Sequence, residues 1–126
     1  MKNKFLLAAG GISFFTAGLH LIGGQLTLVD PLLASNLIPQ EKTEWLGAWH
    51  IVTILLFFFG YILLKNGLKP NIEDRSLIKW IGILCLLFSF AFIGASLGQQ
   101  QHAPQYILFL PVAALVYFGN RFKMEN

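Results

Sequence analysis

Long apolar runs separated by short polar connections constrain this chain more than any other feature. Four runs reach, or nearly reach, the roughly 20 apolar residues that a membrane-spanning helix needs. They cover residues 5–24, 46–64, 77–97 and 103–119. Of the 126 residues, 56% are hydrophobic and 12% are charged, whereas a soluble domain carries about 25% charged residues. A small soluble fold has too little interior for this apolar surface. The sequence therefore predicts an all-α, four-helix transmembrane bundle that forms one membrane domain, residues 1–126.

Basic residues are distributed unevenly between the two sides that four spans create. Lysine and arginine near span ends prefer the cytoplasmic side. One connection holds only Lys42, and the other basic residues are on the opposite side: Lys2, Lys4, Lys65, Lys69, Arg75, Lys79, Arg121 and Lys123. The pattern predicts that both termini are cytoplasmic. A cleaved signal peptide over residues 1–24 is the alternative for the first span. Because the basic residues are dispersed, no nucleic-acid partner is expected.

The first connection, residues 25–44, is the longest. Asp30 followed by Pro31 is typical of a helix N-terminus, with an N-cap and a proline at the first helical position. This pair predicts a short surface helix near residues 31–36 in the first outer connection. Pro39 predicts an early start for the second span helix, with Glu41 near its N-terminus, where a negative charge suits the helix dipole.

Polar and small residues recur at helical spacing inside the spans. Three stripes are predicted: Ser13, Thr16, His20 and Gly23 in the first span; Gly47, His50 and Thr53 in the second; Cys85, Ser89, Ser96 and Gln100 in the third. Polar residues within spans usually face the bundle interior, since lipid offers them no partner. The simplest interpretation is helix packing with interhelical hydrogen bonds, and Cys85 is interpreted as a small buried hydrophobe.

The depth of the histidines suggests a more specific interpretation. His20 and His50 each lie about 6 Å inside the outer end of their helices, at 1.5 Å per residue. His102 lies in the outer connection before the fourth span, and several glutamines are at the same end. We therefore expect an outer-leaflet polar pocket lined by Thr16, His20, His50, Thr53, Ser96, Gln100 and His102. The inner half of the predicted bundle has no comparable polar cluster.

Three functions are compatible with such a pocket. It could bind a small or lipid-like ligand, or a membrane protein partner, with histidine and glutamine orienting it. His20 and His50 could instead be axial ligands of a haem b, which would make the chain a redox subunit. They could also bind a transition metal, with or without His102. A purely structural or assembly role is a further alternative, and oligomerisation is left open.

No enzymatic motif is present in the sequence. There is no nucleophile elbow, phosphate loop or dinucleotide fingerprint. We therefore predict that the chain is not an enzyme by itself, that it has no catalytic residues, and that it requires no cofactor unless the histidines bind haem or metal.

Two short runs and the last span carry a resemblance. Residues 17–24 read AGLHLIGG, residues 49–53 read WHIVT, and Gln105 precedes Pro111 in the last span. Together they resemble a group of uncharacterised small bacterial four-span membrane proteins. The resemblance covers nearly the whole chain. It implies a bacterial inner (cytoplasmic) membrane location and supports His20 and His50 as site positions, but it implies no reaction.

Overall fold

The computed structural model describes residues 2–121, and within this range it is helical with no strands. Helix α1 covers Lys4–Ala34, α2 covers Pro39–Leu68, α3 covers Arg75–Gln99 and α4 covers Tyr106–Arg121. The predicted all-α class is confirmed, and Pro39 opens α2 as expected. Lys123, one of the residues in the charge pattern, lies outside the described residues.

Three of the helices are long and apolar enough to cross a membrane. They are α1 with 31 residues, α2 with 30 and α3 with 25. Helix α4 is apolar but has 16 residues, or about 24 Å, which is less than the roughly 30 Å of a bilayer core. The outward-facing side chains are largely apolar, with Ile54 and Leu97 exposed by 68% and 76%. A surface of this kind is compatible with a membrane protein.

Helix α1 continues well beyond the end predicted for the first span. Leu19–Gly23 and Gln25–Val29 form two π-helical turns, and Asp30–Ala34 then returns to α-helical geometry. The helical segment after Asp30 is present, but a separate surface helix is not confirmed because this segment is the last part of α1. Pro31 has no N–H for an α-helical bond, and the wider turn before it changes the hydrogen-bond register there.

Glycine residues allow α1 and α2 to pack closely along their whole common length. A Cβ atom added at Gly10, Gly24, Gly60 or Gly67 would lie within 3.0 Å of a side chain on the other helix. Gly10 faces Leu64, and Gly67 faces Leu7, so the two helices are antiparallel. Small residues at such contacts let helix backbones approach one another in membrane proteins.

Helix α1 packs between α2 and α4, and α3 packs against α4. Contact between α2 and α3 is slight, and an aromatic bridge spans this gap, with the rings of Phe59 and Phe88 stacked at 6.5 Å. Phe109 of α4 meets Phe88 edge-on at 5.6 Å.

Cys85 is 1% exposed, which confirms its interpretation as a buried hydrophobe. The core comprises Leu6, Ala9, Ala17, Leu56, Phe59, Leu63, Ile78, Ile81, Cys85, Phe109, Val112 and Val116.

Hydrogen bonds between helices concentrate where the first and last described residues meet, which we call the terminal end. Asn3 is 4% exposed and caps α1 by accepting from the N–H of Leu6 at 3.2 Å. Its own N–H donates to the carbonyl of Gly67 at 2.9 Å, and its Nδ2 donates to the carbonyl of Gly119 at 2.8 Å. Through its side chain and its backbone, this one residue thus connects α1, α2 and α4. The opposite end of the helices is called the distal end.

A second group of polar residues at the terminal end stabilises the connection between α2 and α3 and joins α3 to α4. Buried Asn66 accepts from the N–H of Glu73 at 2.9 Å. Arg75 and Asn120 each donate from the side chain to the carbonyl of the other. The expectation that this half of the bundle has no polar cluster is therefore wrong. Asn3 and Asn66 lie just outside the apolar runs, where the sequence alone does not distinguish a buried polar residue from one in an exposed connection.

Candidate functional site

At the distal end, His20 of α1 contacts Trp49 of α2 both through its ring and through a hydrogen bond. The two rings are stacked, with centroids 3.7 Å apart and planes 15° from parallel. His20 Nε2 also lies 3.2 Å from the carbonyl oxygen of Trp49, so the protonated Nε2 tautomer donates to that oxygen. The imidazole thereby holds both the indole and the backbone of Trp49.

Gly24 provides the surface on which the Trp49 indole rests. A Cβ at Gly24 would collide with the six-membered ring of the indole, whereas a Cβ at neighbouring Gly23 would meet nothing within 4 Å. Trp49 therefore packs against α1 one turn beyond His20. We refer to His20, Gly24, Trp49 and Thr53 as the His–Trp cluster.

The π-helical turns of α1 coincide with this cluster. His20 lies in the first turn, whose closing bond runs from the N–H of Gly24 to the carbonyl of Leu19. In the second turn, Gln25 Nε2 donates to Asp30 Oδ1 at 2.7 Å. Such turns are rare in proteins and occur frequently at functional sites. Their position here identifies this section of α1 as a candidate site.

Trp49 has one polar group that is shared and another that is unpartnered. Its carbonyl oxygen accepts from Thr53 Oγ1 at 3.1 Å as well as from His20. Its indole N–H, in contrast, is buried and has no hydrogen-bond partner in the part of the chain that the structure describes. A buried donor left unpaired costs about 1–3 kcal/mol, so this atom requires an explanation.

Gln105 at the start of α4 presents a second unpartnered atom. Its Oε1 is buried and accepts no hydrogen bond from any of the described residues. Gln105, Phe109, Val112 and Val116 follow one face of α4, and the last three are buried. At 1.5 Å per residue, Gln105 lies about 24 Å from the terminal end of its helix, and Trp49 lies about 29 Å from that of α2. Both residues therefore lie toward the distal end of their helices.

His50 does not share the surroundings of His20. It is exposed, on the same helical face as the exposed Ile54 and Phe57. The predicted face of Gly47, His50 and Thr53 separates, since Thr53 is 6% exposed while the other two are exposed. Positions i, i+3 and i+6 drift by about 120° around a helix, so this stripe is too wide to face one way.

The predicted hydroxyl groups bond within their own helices. Thr16 Oγ1 donates to the carbonyl of Ile12 at 2.8 Å, and Ser13 and Ser89 similarly donate to the carbonyl four residues earlier. Thr53 follows the same pattern toward Trp49. The hydroxyl groups of these stripes are therefore satisfied within their own helices, and the side-chain hydrogen bonds between helices come from Asn, His, Lys and Arg instead.

Three further predicted pocket residues form the connection between α3 and α4. Gln100 ends α3 with a left-handed backbone, at a φ of 53°. Ser96 Oγ accepts from the N–H of Ala103 at 3.0 Å. The His102 ring meets Tyr106 edge-on at 6.2 Å. These contacts shape the turn, and no contact within residues 2–121 joins these three side chains to His20 or His50.

Metal binding at the histidines has little support from their surroundings. Within residues 2–121, no group of three or more His, Cys, Asp or Glu side chains is arranged to hold a metal ion. His20 Nε2 is already committed to the Trp49 carbonyl. Ligation of haem or metal through that nitrogen would require the hydrogen bond to break.

Trp49, Gly24 and Gln105 are the site residues that sequence reasoning missed or weighted too lightly. Trp49 stands beside His50 at the start of a predicted span, a position that is equally typical of an interfacial aromatic residue. The run of Gly23 and Gly24 next to His20 was a usable signal for close approach of a large side chain.

Comparison with family models, curated proteins and solved structures finds no match for this chain.

Proposed function

We propose that this chain is a multi-pass protein of a bacterial inner membrane, with the terminal end on the cytoplasmic side. The length and apolar character of α1, α2 and α3 support a membrane location. The orientation is supported by the positive-inside rule, since Lys65, Lys69 and Arg75 lie at the terminal end and Lys42 near the distal end.

Its function in this proposal is to bind a small or lipid-like ligand at the distal end. The observation that carries the proposal is the pair of buried, unpartnered polar atoms, Trp49 Nε1 and Gln105 Oε1. A ligand that supplies an acceptor to the indole and a donor to the amide would satisfy both groups. The ligand class is therefore an amphiphile with a carbonyl or ether oxygen and a hydroxyl or amide N–H, bound in an otherwise apolar setting.

His20 has a positioning role in this proposal. Its ring stacks on the indole and its Nε2 bonds to the Trp49 carbonyl, which restricts rotation of the side chain that carries the unpartnered N–H. Thr53 supports the same carbonyl. A site with preset geometry loses less conformational entropy when a ligand binds.

The test compares Trp49→Phe with Trp45→Phe. Phenylalanine keeps an aromatic ring on Gly24 and removes the N–H, whereas Trp45 is 62% exposed and outside the cluster. Each protein is purified in mild detergent, incubated with a total lipid extract from bacterial membranes, washed and analysed by mass spectrometry. We expect the wild type and Trp45→Phe to retain one compound that Trp49→Phe and Gln105→Leu lose. Equal retention by all four proteins would refute the proposal.

The alternative occupants are distinguished with the same preparations. A Soret absorption band that is lost in both His20→Ala and His50→Ala would replace ligand binding with a haem-based redox role. A metal bound in stoichiometric amount and lost in the same variants would indicate the transition-metal alternative. Capture of a membrane protein that is unaffected by Trp49→Phe would favour the structural or assembly role.

A further inference from the structure

A groove between α3 and α4 lies on the outward side of the bundle, near the terminal end. Its volume is about 690 Å³. Its walls are apolar along most of their length and include Gly82, Ile83 and Leu86 on α3, and Leu110, Ala114 and Tyr117 on α4. It is a separate site from the His–Trp cluster, and the inference depends on the membrane location but not on the distal ligand.

The length of the groove suits one leaflet of a bilayer. Its lining on α4 extends from Leu110 to Arg121, which corresponds to about 16 Å of helix. Half of a hydrocarbon core of about 30 Å is about 15 Å. Gly82 lets the two helices approach, because a Cβ there would lie 2.8 Å from Val116. The groove therefore has the length and the apolar lining for one acyl chain.

Two cations lie at the terminal end of the same groove. Lys79 and Arg121 both line it and are both exposed, and the Arg121 guanidinium lies over the Tyr117 ring at 4.4 Å from its centroid. Within residues 2–121, the ion pairs involve Lys65, Lys69 and Glu73, so neither cation of the groove has a carboxylate partner there. The charged end is therefore complementary to an anionic group at the membrane surface.

Asn120 adds an unpartnered acceptor at this charged end. Its Nδ2 donates to the carbonyl of Arg75 at 3.2 Å, which fixes the orientation of the amide. Its Oδ1 is buried and has no hydrogen-bond partner among residues 2–121, and Asn120 lines the groove. A phosphate alone offers no donor at neutral pH, so this oxygen favours a headgroup that also carries a hydroxyl.

We propose that the groove binds one anionic phospholipid with a hydroxylated headgroup, of the phosphatidylglycerol type. The phosphate lies between Lys79 and Arg121, a headgroup hydroxyl donates to Asn120 Oδ1, and one acyl chain follows the apolar walls. Basic residues near a membrane surface attract anionic lipid with about 1 kcal/mol each, so two of them together give more than a tenfold preference.

The experiment measures lipid binding to the full chain in neutral detergent by native mass spectrometry. Phosphatidylglycerol is titrated in parallel with phosphatidylcholine and with phosphatidylmethanol, which has the same charge but no headgroup hydroxyl. The wild type should bind phosphatidylglycerol at least about tenfold more tightly than phosphatidylcholine, and more tightly than phosphatidylmethanol. Glycerol phosphate without acyl chains should not compete, which distinguishes a lipid site from a phosphate site.

Matched variants locate the binding. Lys79→Gln combined with Arg121→Gln should abolish the headgroup preference, while Lys2→Gln combined with Lys4→Gln removes the same charge from the same end and should leave it unchanged. Ala114→Trp should block the groove, and Ala95→Trp, at an exposed position of α3 outside the groove, should not. Equal binding of charged and zwitterionic lipids would overturn the proposal. So would an equal loss of headgroup preference in the Lys79/Arg121 and Lys2/Lys4 double variants. So would undiminished binding by Ala114→Trp.

Discussion

The two ends of the helices use polar groups in opposite ways. At the terminal end, Asn3 bonds to α2 and α4 at once, and Asn66 holds the following connection through Glu73. At the distal end, the contact between α1 and α2 depends on His20 and Trp49, and the indole N–H beside it has no partner. Among the described residues, the first arrangement leaves one buried acceptor open, Asn120 Oδ1, whereas the second leaves both a donor and an acceptor open.

The difference indicates where stability and binding reside in this chain. Interhelical hydrogen bonds contribute to stability when they satisfy buried groups, and those at the terminal end connect all four helices. Unsatisfied buried groups cost stability, and native proteins retain few of them. Their retention at the distal end, next to two rare π turns, is the pattern of a site that is completed by a ligand.

The largest expected effect comes from removing the Asn3 side chain. Asn3→Ala leaves the Gly119 carbonyl and the Leu6 N–H without their present partners, which should lower the free energy of unfolding by about 2 kcal/mol. Denaturant unfolding in detergent micelles, followed by far-UV circular dichroism, measures the change. Asn71→Ala is the control, because Asn71 is exposed at the same end and should change stability by less than about 0.5 kcal/mol.

Similar losses in the two asparagine variants would contradict the comparison between the ends. In that case the hydrogen bonds of the terminal end would contribute no more than surface groups do, and packing along the glycine contacts would have to account for the cohesion of the helices.

An intermediate effect is expected from alanine at two adjacent glycines of the distal end. Gly24→Ala forces the Trp49 indole to move and should destabilise the chain by about 1 kcal/mol or more. Gly23→Ala meets nothing and should stabilise α1 by about 0.5–1 kcal/mol, because alanine is the better helix former. Thermal unfolding in the same detergent measures both. Changes of the same sign and size would show that the indole does not depend on Gly24.

The helices themselves could be predicted from length and apolar character, but the limits of α1 could not. Pro31 after Asp30 has two local interpretations, a new helix start or a proline tolerated inside a longer helix. Only the tertiary structure distinguishes them, because the π turn over Gln25–Val29 that accommodates the proline is not encoded by any periodic pattern.

His20 was among the residues predicted for the site, whereas its contact partner Trp49 was not. Equal depth of two histidines says nothing about their direction, and His50 faces outward while Trp49 faces His20. Likewise, a threonine on an interior face can donate to its own helix, as Thr16 does, so spacing alone does not predict bonds between helices. Asn3 was missed because its role depends on partners more than sixty residues away.

The smallest expected effect is the loss of folding stability at acid pH. It sharpens the comparison between the two ends because the carboxylate involved, Glu73, lies at the terminal end. Hydrogen bonds from Lys69 and then Lys65 lower the pKa of Glu73. A carboxyl group whose pKa is lower in the folded state stabilises that state above its unfolded pKa. This contribution is lost as the pH falls through the folded pKa. Since Glu73 is solvent-exposed, the effect should be smaller than those of Asn3 and Gly24 and should weaken at high salt.

The measurement is the difference in unfolding free energy between the wild type and Glu73→Gln across an acid titration. The difference should be constant at neutral pH and approach its minimum once the carboxyl group is protonated in both states. Asp30→Asn at the distal end is the matched control, because Asp30 is bonded to a neutral amide rather than to lysines. If both variants followed the same pH profile, the acid response would come from the general loss of negative charge. The acid response would then provide no evidence that the Glu73 ion pairs in the connection between α2 and α3 stabilise the terminal end.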